Sequence, residues 1–253
     1  MLRAATRPQT DLAQRTICRY ICHISIIPVA LVKGKLVERP SLKQQAYQAI
    51  KHKIVSLQLA PGAVIDEAAL IEELQLGRTP IREALQRLAL EKLVDIVPRR
   101  GMFVTEIGIT DLQRLFEVRM ILESTAARLA AQRGRPDHWR RMEAALSRLD
   151  SPEAEMDNEV LIAIDEACHQ IMYEAADNEF LYDTLSGMYA LSLRLWYYSL
   201  AKIGKMRSTV LEHRDILQAL RAGDEDEAAR LLEQHINSFQ EEIQSVMMGT
   251  VTG

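Results

Sequence analysis

Between Leu93 and Ile107 the apolar spacing of this chain changes character, and that change does most to limit its fold. Ahead of it the spacing is helical. Leu42, Ala46, Ile50 and Ile54 fall four apart, and Ile81, Ala84, Leu85 and Leu88 fall at i, i+3, i+4 and i+7, one stripe on each helix. Then "LVDIV" (93–97) and "MFVTEI" (102–107) form two short β-type runs joined by Pro98-Arg99-Arg100-Gly101. From Thr110 to the end the pattern is helical again. Sequential strands are absent there, so that half is expected to be an all-helical bundle. The chain therefore reads as mostly α, with a two-stranded hairpin closing an N-terminal unit of three helices.

The boundaries have local causes. Pro61-Gly62 stops the first helix, and Asp66 is a natural N-cap for a short helix from Glu67 to Leu74. Thr79 is expected to cap the next helix, with Pro80 at its first position, where a missing N–H costs nothing. The tight link between these two helices gives a helix-turn-helix. In the second half, breaks at Gly134-Arg135-Pro136, Ser151-Pro152, Asp177-Asn178, Gly204 and Gly223-Asp224 leave about six helices.

The third helix asks for a second explanation. Arg78, Arg82 and Gln86 lie four apart, opposite the Leu85/Leu88 stripe, and begin at a helix N-terminus whose free N–H groups and dipole suit phosphate. Arginine can address guanine, and glutamine adenine, bidentately in a major groove. The hairpin tip Arg99-Arg100-Gly101 lies just beyond, able to follow a phosphate backbone or enter a minor groove. A helix-turn-helix followed by a basic hairpin is a winged helix, and the expected partner is double-stranded DNA, in preference to an ordinary solvated helix face.

Charge fits a local patch. The formal net charge is -4, which by itself does not suggest a nucleic-acid binder. Residues 41–106 carry 9 Lys+Arg and 8 Asp+Glu, whereas residues 107–253 carry 15 and 25, so DNA contact must come from the small basic unit. Hydrophobic residues make up 48% and charged residues 26%, ordinary globular values. No run of about 20 apolar residues is present, so no membrane partner is expected. The three cysteines, Cys18, Cys22 and Cys168, argue against a disulfide framework and fit a cytoplasmic location. Residues 1–39 read as a disordered extension, followed by a DNA-binding domain over 40–107 and a helical domain over 108–253.

In the helical half four residues stand out. Asp165 and His169 are i, i+4 on one helix. An antiparallel turn at Gly223-Asp224 brings His213 and His235 to similar heights. Facing helices are how bundles build metal sites, and one carboxylate with three imidazoles suits zinc, manganese, nickel or iron. Cys168 neighbours His169 and points elsewhere.

The motifs "LGRTPIREALQRL" and "VPRRGMFV" resemble the DNA-binding domain of the GntR superfamily of bacterial transcription regulators. The resemblance implies operator contacts from Arg78, Thr79 and Arg82, and a wing tip at Arg99, Arg100 and Gly101. One departure is visible: the family's Gly-Val-Ser before the first arginine is Gln75-Leu76-Gly77 here. Further on, "DLQRLFEVRMILESTAARLAA", "D-x3-H" and "H…GD…A…H" resemble the effector domain of the FadR-like branch, the FCD subtype. That likeness implies metal ligation by Asp165, His169, His213 and His235, a homodimer, and a small organic acid completing the coordination. Arg119 matches a recurring arginine of the pattern and is the candidate partner for the acid's carboxylate, a structural salt bridge to Glu117 or Glu123 being the competing role. Arg194 and Tyr198 are further effector candidates.

The expected function is a metal-dependent, ligand-responsive regulator acting as a repressor. Two alternatives stand beside it: a metal-dependent hydrolase using the Asp/His3 site, and a regulator whose metal is purely structural. An enzyme would want a water-bearing open position and a general base. No HExxH motif and no obvious base are present.

Overall fold

The computed structural model describes residues 40–106, 108–150, 158–199 and 206–247. The extension expected over residues 1–39, with Cys18 and Cys22, lies outside the described residues, as do the breaks expected at Ser151-Pro152 and Gly204. Helices α1 (Leu42–Val55), α2 (Glu67–Leu74) and α3 (Arg78–Leu90) precede the hairpin of β1 (Val94–Val97) and β2 (Gly101–Val104). The strands pair antiparallel with Val94 opposite Val104 and Val97 opposite Gly101. Residues 62–65 add a third extended edge, through Gly62 N–H to the Val104 carbonyl and Ile65 N–H to the Met102 carbonyl. Among the described residues no helix is long and apolar enough to cross a membrane.

The winged unit has its own core. Ile81, Ala84, Leu85 and Leu88 are fully buried against Ala46, Ile50, Ile54 and Leu70, so the stripe read from spacing is the packed face. Truncating Leu85 to alanine there removes on the order of 2–5 kcal/mol. Asp66 caps α2 as expected, accepting from the N–H groups of Ala68 and Ala69.

The start of α3 differs from expectation by two residues. Gly77 is the N-cap, Thr79 lies inside the first turn, and no side chain caps the helix. Pro80 still costs no hydrogen bond, because the first four helical N–H groups have no intrahelical acceptor. The altered turn also has an account. Gln75 takes the left-handed conformation (φ 54°) that ends α2, and its side-chain amide donates to the Glu72 carbonyl at 2.6 Å. Gly77 has φ -69°, so the glycine is not what closes this turn.

Seven α-helices follow in the described residues: α4 (Ile109–Arg133), α5 (Pro136–Ser147), α6 (Asn158–Ala175), α7 (Glu179–Ser199), α8 (Met206–Leu211), α9 (His213–Ala222) and α10 (Glu225–Met247). One more helix appears than the spacing suggested, because the chain breaks at Glu212, between α8 and α9. Helix α10 runs along α4, and α6 packs against α4, α5 and α7. In the described residues of this helical half, two glycines are required by geometry. Gly223 closes α9 at φ 71°, which sets the α9–α10 turn. A Cβ on Gly134 would lie 2.0 Å from the Trp139 ring, so the α4–α5 corner admits no side chain there.

Candidate functional site

On the winged unit, Arg78, Thr79, Arg82 and Gln86 are all exposed on α3, facing away from the buried stripe. Arg82 is not free: its Nε lies 2.7 Å from Glu67 Oε2, and its Nη2 lies 3.4 Å from Oε1. Arg99, Arg100 and Gly101 are exposed at the hairpin tip. The Arg100 N–H donates to the Val97 carbonyl at 3.0 Å, which closes a β-turn with Pro98 and Arg99 at its centre. Arg99 has φ 65°, as the third residue of a type II turn does, and Gly101 has φ 110°.

In the helical unit, Asp165 and His169 on α6, His213 at the start of α9 and His235 on α10 converge. One ligand atom from each lies within 4.8 Å of all the others. All four residues are at most 3% exposed. His169 Nε2 and His235 Nε2 are 3.4 Å apart, and each is 3.7 Å from an Asp165 oxygen. His213 Nδ1 is 3.6 Å from Asp165 Oδ1.

Two of the donors, His213 and Asp165, are held in the forms a divalent metal requires. Burial and the neighbouring imidazoles hold His213 well below its ordinary pKa, so its ring is neutral. Burial raises the Asp165 carboxyl, but the three histidines and the Tyr189 hydroxyl, which donates to it at 2.6 Å, more than offset this and keep it ionised. His235 Nδ1 is 2.9 Å from Glu212 Oε2. A hydrogen bond there puts the proton on Nδ1 and leaves the Nε2 lone pair facing the cluster. His169 Nδ1 lies 2.9 Å from Glu123 Oε2, too poorly aligned to count as a formed hydrogen bond. Asp165 Oδ1 and both ring nitrogens of His213 are buried with no hydrogen-bond partner. Buried polar atoms are almost always paired. Three orphans on one cluster fit residues built around an ion they do not themselves contain.

Asp165, His169 and His235 form one wall of a small cavity whose other walls include Arg119, Tyr189, Ser192, Trp196 and Phe239. Its free space is about 10 Å3, room for one water-sized body. Arg119 is 2% exposed and donates from Nε to Glu123 Oε1 at 2.5 Å. Burial alone would lower its pKa, but Glu123 and the nearby tyrosines raise it, so it stays a cation. Glu123 is held ionised in turn, against its own burial, by Arg119 and His169. The competing role foreseen for Arg119, a pair with Glu123, is therefore present, and the guanidinium lines the cavity as well.

Arg194 and Tyr198 do not reach the cavity. Arg194 is buried and donates from both Nη atoms to Thr105, one bond to Oγ1 and one to the backbone carbonyl, each at 2.7 Å. Without a carboxylate beside it, burial lowers its pKa to about 10, with Glu106 opposing. Tyr198 is 52% exposed. The helix was right and the face wrong. Residues two apart on a helix point about 200° apart, so the inward stripe is Tyr189, Ser192, Leu193 and Trp196. That i, i+3, i+4, i+7 spacing was the available signal. Trp196 also contributes a buried indole N–H with no partner.

Two family models match the chain: "Bacterial regulatory proteins, gntR family" over residues 42–104 and "FCD domain" over residues 114–238. The HTH-type transcriptional repressor RspR of Escherichia coli (strain K12) is 26% identical over 217 residues, covering 85% of this chain and 94% of the relative. An HTH-type transcriptional regulator from the TAR-I ttuE-ttuC' intergenic region of Agrobacterium vitis is 30% identical over 135 residues, covering 49% of this chain and 79% of the relative. The structure of E. coli McbR/YncC superposes with a TM-score of 0.73 at 23% identity, over 84% of this chain and 100% of that one. These families are non-enzymatic DNA-binding regulators, so the hydrolase alternative finds no support. By these matches the chain belongs to the GntR family of bacterial transcriptional regulators, with an FCD effector-binding domain.

Proposed function

We propose that this protein is a homodimeric repressor whose operator affinity is set by a small organic acid bound beside a divalent metal in the helical domain. The observation that carries this reading is the shared cavity, lined by Asp165, His169 and His235 of the cluster together with Arg119, with His213 and its two orphaned ring nitrogens completing the ligand set behind it. Those four residues would hold the ion, which supplies a Lewis-acidic positive centre for a carboxylate oxygen. Arg119, kept cationic and fixed at Nε by Glu123, offers its remaining donors to the same carboxylate. Arg78, Thr79 and Arg82 would enter the major groove, and Arg99, Arg100 and Gly101 the backbone or minor groove beside it. The printed name of the E. coli relative supports repression, and the family supports a cytoplasmic dimer on operator DNA.

The tight cavity also favours a second reading, a metal with a structural role alone, because an acid larger than water must displace the Trp196 and Phe239 wall. A thermal-shift series separates the two. The protein is stripped with chelator, reloaded with zinc or manganese, and screened against small mono-, di- and tricarboxylates. Reloading should raise Tm, and at least one acid should raise it further only in the loaded form. A metal shift with no acid shift leaves the structural reading, and no metal shift overturns both.

A further inference from the structure

Helices α2 and α3 meet at the turn around Gln75, and across their angle the Glu67 carboxylate takes one edge of the Arg82 guanidinium. Nε lies 2.7 Å from Oε2 and Nη2 lies 3.4 Å from Oε1. A guanidinium has five donors in a fixed fork. With Nε and one Nη2 hydrogen engaged, the outer edge of Nη1 and Nη2 stays free. That outer edge is the one that addresses guanine O6 and N7 as a pair.

Stability does not explain the pair. The side chains are 54% and 27% exposed, and such ion pairs contribute little to folding. Affinity does not explain it either, because a carboxylate on a surface that meets phosphates repels them. Arg78, one turn earlier on the same face, has no acidic partner among the described residues. Glu67 stands in the first turn of α2.

We propose that Glu67 is a positioning residue for sequence readout: it holds the Arg82 side chain in one orientation, so that the free edge reads a single G·C pair in the major groove. This rests on α3 being the helix that enters that groove. Unclamped, the long arginine side chain would exchange between the base edge and nearby phosphates, keeping affinity and losing discrimination.

The test uses the full chain and a duplex pool with a randomised core. Selection on the wild type yields its preferred site. Kd is then measured at one fixed salt for that site, for its single-base-pair variants and for an unrelated duplex. Glu67→Gln should bind the unrelated duplex as tightly as wild type or more tightly, since a negative charge is gone. Discrimination at one G·C pair should nevertheless fall about five-fold or more, and Arg82→Ala should lose discrimination at the same pair. The double variant should lose no more than Arg82→Ala alone. A folding defect would weaken every duplex alike, so position-specific loss identifies the clamp. Unchanged discrimination in Glu67→Gln, or tighter binding to all sequences equally, overturns the proposal. Full discrimination retained by Arg82→Ala removes the reading of α3 itself, and the proposal falls with it.

Discussion

The two halves of this molecule treat charge in opposite ways. On the winged unit Arg78, Arg82, Arg99 and Arg100 stand exposed over a wholly apolar core, so chemistry and stability occupy different faces. In the helical unit Arg119, Glu123, Asp165, His169, His213 and His235 are themselves among the buried residues, at 0–3% exposure. A buried charge stays ionised only while its partners remain. Editing the first site should therefore leave stability nearly unchanged, and editing the second should cost it.

The largest expected effect tests that contrast directly. Glu123→Ala leaves Arg119 buried and unpaired, which costs on the order of 3–5 kcal/mol. Urea unfolding followed by circular dichroism would register it. A loss below about 1 kcal/mol would mean the pair is far better solvated than its burial indicates.

Acid should act on the same half. His213 has a folded pKa below its ordinary 6.5, and Asp165 and Glu123 have folded values below 3.8 and 4.5. In each case the unfolded chain binds the proton first. Stability is therefore present above those ordinary values and lost as pH falls, beginning near 6.5 with His213 and steepening below 4.5 with the carboxyls. Each titrating group contributes a slope of up to about 1.4 kcal/mol per pH unit. A metal-free Tm profile from pH 8 to 4 that stays flat below 6.5 would contradict this.

On the winged unit, Arg82→Ala should weaken specific operator binding, with the loss concentrated at one G·C pair, while moving stability by no more than about 0.5 kcal/mol. Joint loss of binding and fold would erase the distinction between the halves. The smallest effect is expected at Gly77. Its backbone is extended, and a Cβ there would meet only Pro80 at 3.7 Å. Gly77→Ser adds the missing cap to α3 and should stabilise by a few tenths of a kcal/mol, visible as a small rise in Tm.

What could be read in the sequence follows the range of the interactions concerned. The Asp66 cap and the Ile81/Ala84/Leu85/Leu88 face depend on neighbours within one or two turns, and both agree with the structure. The convergence of Asp165, His169, His213 and His235 was legible because an i, i+4 pair and one antiparallel turn fix most of it. Arg194 was misread because period alone gives a helix several faces and does not say what each face meets. Its partner Thr105 is 89 residues away. The break at Glu212 was hidden for a related reason: no Gly or Pro marks it, and its carboxylate instead serves His235 across 23 residues.

The turn at the wing tip has a consequence for how such a protein responds to selection. Arg99 sits at φ 65°, in a place that Asn or Gly would occupy with less strain. A strained residue of this kind costs on the order of 1 kcal/mol. Variants chosen only for heat resistance should therefore drift toward Asn or Gly at position 99 and discard a cation the wing would present to DNA. Mutants that gain stability here while losing grip on an operator would trace a trade-off written into one backbone angle.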